Sequence, residues 1–121
     1  MKIFIGHDSR HTQATRVCKK SILNNSKPGE HKVTYLDKAL LTKIGIYGRE
    51  NYPGESTEFS FTRFYVPLLC HYQGKALFCD NDFLWKCNPN EIEKYLKDKP
   101  VAVVKHKLDN IPGSKMDGVE N

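Results

Sequence analysis

At 121 residues, with 39% hydrophobic and 11% aromatic content, the chain is long enough to form one domain with a real core. Its 27% charged residues are interleaved with those aromatics, which excludes a disordered chain, and no run approaches the ~20 apolar residues a membrane-spanning helix needs. The net charge of +5 suits an anionic ligand, but lysines such as Lys19-Lys20, Lys38, Lys43, Lys94, Lys97 and Lys105 are scattered and no aromatic-basic motif appears, so nucleic acid is not expected as a partner.

Met1 to Ile5 moves directly into a strand pattern without a signal-peptide apolar region, predicting a cytoplasmic protein. Lys2 to Gly6 reads as the first strand. His7-Asp8-Ser9-Arg10-His11 follows as a polar loop at its carboxyl end, where α/β sheets gather ligands. A helix is expected from Thr12 to Asn24, with Ala14, Val17, Cys18, Ile22 and Leu23 near its apolar face, ended by the breaker-rich Asn24 to Gly29. Val33 to Leu36 is a second strand, parallel to the first because a helix separates them. An amphipathic helix is predicted over 37–47, then an exposed loop carrying Gly48, Pro53 and Gly54. Ser56-Thr57-Glu58 begins a largely buried helix running to Leu69, which Pro67 should bend or restart. Arg63 stands out as a cation in that apolar stretch; a salt-bridged or snorkelling role and a ligand contact both fit it.

The centre of the chain is Gly74 to Trp85, GKALFCDNDFLW. Ala76-Leu77-Phe78-Cys79 reads as a buried strand and stops at Asp80-Asn81-Asp82. Two carboxylates this close to a core need compensation, and a hard divalent cation supplies it while keeping positions open for phosphate oxygens. The plain alternative is that Asp80 caps a turn and Asp82 faces water. A haloacid-dehalogenase-type phosphatase also places DxD after a strand, but it wants Thr or Val where Leu84 stands. Beyond the motif, Asn88 and Pro89 announce a helix up to Lys97, Val101 to Val104 reads as another strand, and 108–121 reads as a loop or frayed tail after a core of 1–107. Cys18, Cys70, Cys79 and Cys87 show no CxxC spacing, so reduced thiols are expected, three of them in buried or amphipathic segments; a zinc site on Cys79, Cys87 and a nearby His has no spacing to support it.

IFIGHDSR, STEFSFTRFYVPLL and KALFCDNDFLW together resemble the nucleotide-sugar glycosyltransferases of the GT-A fold, particularly the family-eight (glycogenin- and galactosyltransferase-like) group. The resemblance implies an α/β, Rossmann-like GT-A nucleotide-binding domain, with a mostly parallel central sheet flanked by helices and cut short on its C-terminal side. It implies Mn²⁺ or Mg²⁺ held by Asp80 and Asp82, and a UDP-sugar donor contacted by Asp8, His11, Arg63, Asp80, Asn81 and Asp82. Asp8 and His11 would meet the uracil base, with His11 where an aromatic, often Tyr, stacks. The implied activity is retaining transfer of the sugar to an unknown acceptor, with no nucleophilic side chain assigned. Relatives in that group are longer, and their C-terminal half supplies a further metal-binding His that His106 does not match. The expectation is therefore either a donor-binding half that works with a partner chain or as a homodimer, or a noncatalytic nucleotide-sugar-binding or interaction domain.

Overall fold

In Lys2–Gly6, Ile3 and Ile5 point one way and Phe4 the other, and all three are buried. A strand buried on both faces belongs in the middle of a sheet covered by other elements on each side. The computed structural model, which describes residues 1–107, places this strand (β1) there: the sheet order is β2-β1-β3, with β2 Lys32–Leu36 and β3 Ala76–Cys79. Both neighbours are parallel to β1, with Ile5 opposite Tyr35 on one side and Cys79 on the other. The protein is thus a small α/β domain built on a three-stranded parallel sheet. The expected tail at 108–121 lies outside the described residues.

Helix α1, Thr12–Asn24, covers the Ile3/Ile5 face, where Cys18 and Ile22 pack with Cys79 and the edges of Val33, Tyr35, Leu77 and Trp85. The face it buries matches the expected one only in part: Cys18 and Ile22 lie on it, Val17 and Leu23 do not. Thr15, Cys18, Ser21 and Ile22 are buried, whereas Val17 and Leu23 are about half exposed. Small polar side chains lie inward because this side of the helix meets backbone as well as core, as the site below shows.

The Phe4 face is covered by shorter pieces. Asp37 caps α2, Lys38–Lys43, by accepting from the backbone N–H groups of Ala39 and Leu40, and Gly45 at φ +78° follows its end. The helix is therefore shorter than 37–47. Leu41, Tyr47 and Cys70 complete this second core with Phe61, Tyr65, Val66, Leu69 and Phe78 around it.

The long helix expected from Ser56 to Leu69 is absent. The chain forms a single 3-10 turn, Thr62–Tyr65, then one helical turn, α3, Val66–Leu69, with Pro67 in its first turn. Pro67 thus sits at the start of a helical turn, where its missing N–H costs nothing, and not inside a longer helix. Upstream, the groups that would begin a helix bond elsewhere: the Glu58 N–H goes to Asp8, and the Glu58 carboxylate takes Ser9. Phe64 and Leu68, expected inside, face outward.

Asn88 caps a 3-10 turn, Pro89–Ile92, by accepting from the Asn90 N–H, and this runs into one helical turn, α4, Glu93–Leu96. The strand expected at Val101 to Val104 does not form. Val101, Val103 and Val104 are 71–84% exposed and extend no ladder. β-propensity expresses how a side chain fits a pleated, half-buried surface, and among the described residues no strand pairs with these valines to provide one. Among the described residues no helix is long and apolar enough to cross a membrane.

Candidate functional site

Because Ile5 pairs with Cys79, the loop leaving β1 and the turn leaving β3 emerge side by side at the carboxyl end of the sheet. Gly6 is what lets a third segment join them. A Cβ there would lie 2.5 Å from Cγ of the Phe59 ring, so only glycine allows Phe59 to pack over the strand end.

Asp8 is fully buried. Its Oδ1 accepts from the Arg10 N–H at 3.0 Å and Nε at 2.9 Å, and its Oδ2 accepts from Arg10 Nη2 at 2.7 Å and the Glu58 N–H at 3.2 Å. The Arg10 guanidinium in particular holds this carboxyl far below the usual carboxylate range, against the opposing effect of burial. Arg10 also reaches the Ser56 carbonyl at 2.9 Å. Asp8 is therefore a latch between the first loop and 56–58. His11 ends the 3-10 turn Ser9–His11 and caps α1 with its backbone; its ring is exposed.

Arg63 and Asp80 are brought together, with Nη2 3.4 Å from Oδ1 and both side chains a little over one-third exposed. The Arg63 guanidinium lies 5.0 Å from the Phe78 ring centroid and 5.7 Å from that of Phe59, and its Nε donates to the Phe59 carbonyl at 3.4 Å. This accounts for a cation in an apolar stretch: two rings lie near the guanidinium while its Nη2 meets the carboxylate. Asp82 is exposed and Asn81 is buried. Burial raises the Asp80 carboxyl above its ordinary value and Asp82 adds to the rise, while Arg63 opposes it.

Sequence reasoning missed what holds this turn. Asn81 Nδ2 reaches Thr15 Oγ1 at 3.5 Å, the Cys18 thiol faces the Asp80 carbonyl at 3.9 Å, and Ser21 Oγ accepts from the Trp85 N–H at 3.0 Å. Asn25 Nδ2, just past α1, donates to the Trp85 carbonyl at 2.9 Å. Thr15, Cys18, Ser21 and Asn25 recur at helical spacing, so one side of α1 and its cap braces the whole stretch from Asp80 to Trp85. The signal was in the sequence as small polar residues at that spacing, hidden by reading the helix for apolar ones.

A second unforeseen feature is an aromatic pair at the same end of the sheet. His7 stacks on Tyr35 with ring centroids 5.9 Å apart and planes at 15°, and His7 Nδ1 is buried without a hydrogen-bond partner among the described residues.

The donor set of Asp80 and Asp82 is all hard oxygen, which suits Mg²⁺ or Mn²⁺, and a cation would relieve the mutual repulsion that helps to raise Asp80. Among the described residues no group of three or more His, Cys, Asp or Glu converges, so the protein atoms in view amount to two carboxylates.

The chain is similar to Protein CDI of Arabidopsis thaliana, at 41% identity over 119 residues. The match takes in 97% of this chain and 45% of that relative, so the chain spans a little under half of the relative's length. No protein-family model matches the chain, and no solved structure matches it with significance.

Proposed function

We propose that this domain binds the donor of a metal-dependent glycosyltransferase of the GT-A type, taking a UDP-sugar and passing the sugar, with retention, to an acceptor. The observation that carries the reading is the Asp80-Asn81-Asp82 turn, at the carboxyl end of a parallel strand, with Arg63 3.4 Å from its first carboxylate.

In this reading Asp80 and Asp82 would hold the cation. A divalent ion bound there supplies Lewis-acid neutralisation of the charge that develops on a leaving diphosphate. Arg63 orients Asp80 and adds a fixed positive charge beside the anionic donor. The brace from α1 keeps the turn in place, so the carboxylates need little reorganisation when the donor arrives. Asp8 supports the loop through its latch, and the exposed ring of His11 is available for stacking on a base.

Calorimetry of UDP binding with and without Mn²⁺, on the natural sequence and on Asp82→Ala, tests the reading. Mn²⁺-dependent binding that the substitution abolishes is the expected result. Equal binding by both proteins, or none by either, overturns it. Donor binding without sugar hydrolysis or transfer would instead mark a noncatalytic nucleotide-sugar-binding domain.

A further inference from the structure

Two buried thiols meet beneath the Asp80 turn. Cys18, in the middle of α1, and Cys79, the last residue of β3, have their sulfurs 3.9 Å apart, and all four cysteines of the described structure are free. The two residues are 61 positions apart in the chain, so the contact is made only by the fold. A disulfide has an S–S length of about 2.05 Å, so the sulfurs need to approach by less than about 2 Å. Cys70 is buried within the opposite core and Cys87 is exposed, which leaves this pair as the one set of thiols in contact among the described residues.

We infer that Cys18 and Cys79 are a reversible oxidation site, closing to an intramolecular disulfide in the presence of a hydroperoxide. The Cys18 sulfur attacks the peroxide O–O bond, forming a sulfenic acid and releasing water when the oxidant is hydrogen peroxide. The Cys79 sulfur then displaces the sulfenic hydroxyl, which leaves as a second water with the Cys79 proton. Two thiols and one peroxide thus give one disulfide and two waters, and a dithiol reductant reverses the change. Neither backbone anchor is free to follow easily: Cys79 is paired to Ile5 in the sheet and Cys18 sits mid-helix. The shift therefore bears on their neighbours, the Asp80 carbonyl that faces Cys18 and the Asn81 amide that reaches Thr15 on the same helix. Trp85, the only tryptophan in the chain, packs against the same cluster and reports on it.

The inference stands apart from the donor-site reading, and its test uses no nucleotide. The folded protein with Cys87→Ser, which removes the exposed thiol, is treated with hydrogen peroxide, then alkylated and digested without reduction. The expected result is loss of two of the three remaining thiols, a Cys18–Cys79 cross-linked peptide, and quenched Trp85 emission that dithiothreitol restores. The same treatment of Cys18→Ala should leave the emission unquenched; the peptide map needs no such variant and decides the question even if that one fails to fold. Unreacted Cys18 and Cys79 under conditions that fully oxidise Cys87 in the unsubstituted chain would overturn the inference. So would their conversion to sulfinic acids without a cross-link.

Discussion

Replacing Asp8 by Asn keeps the shape of the side chain and removes its charge. It also turns an NH₂ toward donors, because every hydrogen-bond partner of this carboxylate is an N–H. Four hydrogen bonds are affected. The two from the Arg10 side chain belong to a guanidinium that is 53% exposed, so solvent recovers much of their loss and their share is held to about 1 kcal/mol. The backbone donors of Arg10 and Glu58 are part-buried, and leaving one of them facing an amide N–H adds about 1–2 kcal/mol. The expected loss is about 2–3 kcal/mol, or a Tm lower by about 10 °C for a domain of this size.

Urea unfolding followed at neutral pH measures this directly, and pH gives a second handle. The folded carboxyl titrates below its unfolded value of about 3.9, so between the two the unfolded chain binds more protons and stability rises with pH. The advantage of the natural sequence over Asp8→Asn is therefore complete above about pH 5 and shrinks as the pH falls below about 4. A difference under about 0.5 kcal/mol at pH 7, within the range of ordinary surface substitutions, would refute the latch.

Two further substitutions probe the elements around the site. Gly6→Ala drives a methyl against the Phe59 ring and should cost about 1–3 kcal/mol in thermal unfolding, with Phe59→Ala in the same background relieving the clash but opening a cavity. Ser21→Ala removes the acceptor for the Trp85 N–H and should cost about 1 kcal/mol while shifting Trp85 emission; unchanged emission would mean that α1 does not brace that segment.

The three strands, α1 and the position of the Asp turn were legible because each is written in local pattern: a β-branched apolar run at Ile3-Phe4-Ile5 ending at Gly6, a breaker run after Asn24, an apolar run halted by charge at Asp80. What was not legible depended on partners distant in the chain. Glu58 looked like a helix-start acid, and its actual use by Ser9 lies 49 positions away. Val101 to Val104 has the composition of a strand, but pairing is a property of two segments and composition describes one. The inward face of α1 was read only in part, Cys18 and Ile22 but not Thr15 and Ser21, for a related reason. Thr15 and Ser21 lie inward because the backbone of the Asp turn needs hydrogen bonds, a demand that no apolar periodicity reports. Arg63 was singled out correctly as anomalous, and only the positions of Phe59, Phe78 and Asp80 showed that its two roles, packed cation and carboxylate partner, coexist.

The central place of β1 also sets an order of assembly. Lys2 pairs with Lys32, thirty positions on, and with Ala76, seventy-four positions on. Closing the longer loop costs about 0.8 kcal/mol more in chain entropy, and a growing chain exposes β2 long before β3. The β1-α1-β2 unit can therefore collapse first, burying Ile3, Ile5 and Ile22, while the second edge of β1 waits. β3 arrives last and carries Asp80, Asn81 and Asp82 into place against a helix that is already formed. The carboxylate turn is in this sense placed with the last strand to join the sheet, and hydrogen exchange should find the amides of β3 opening more readily than those joining β1 to β2.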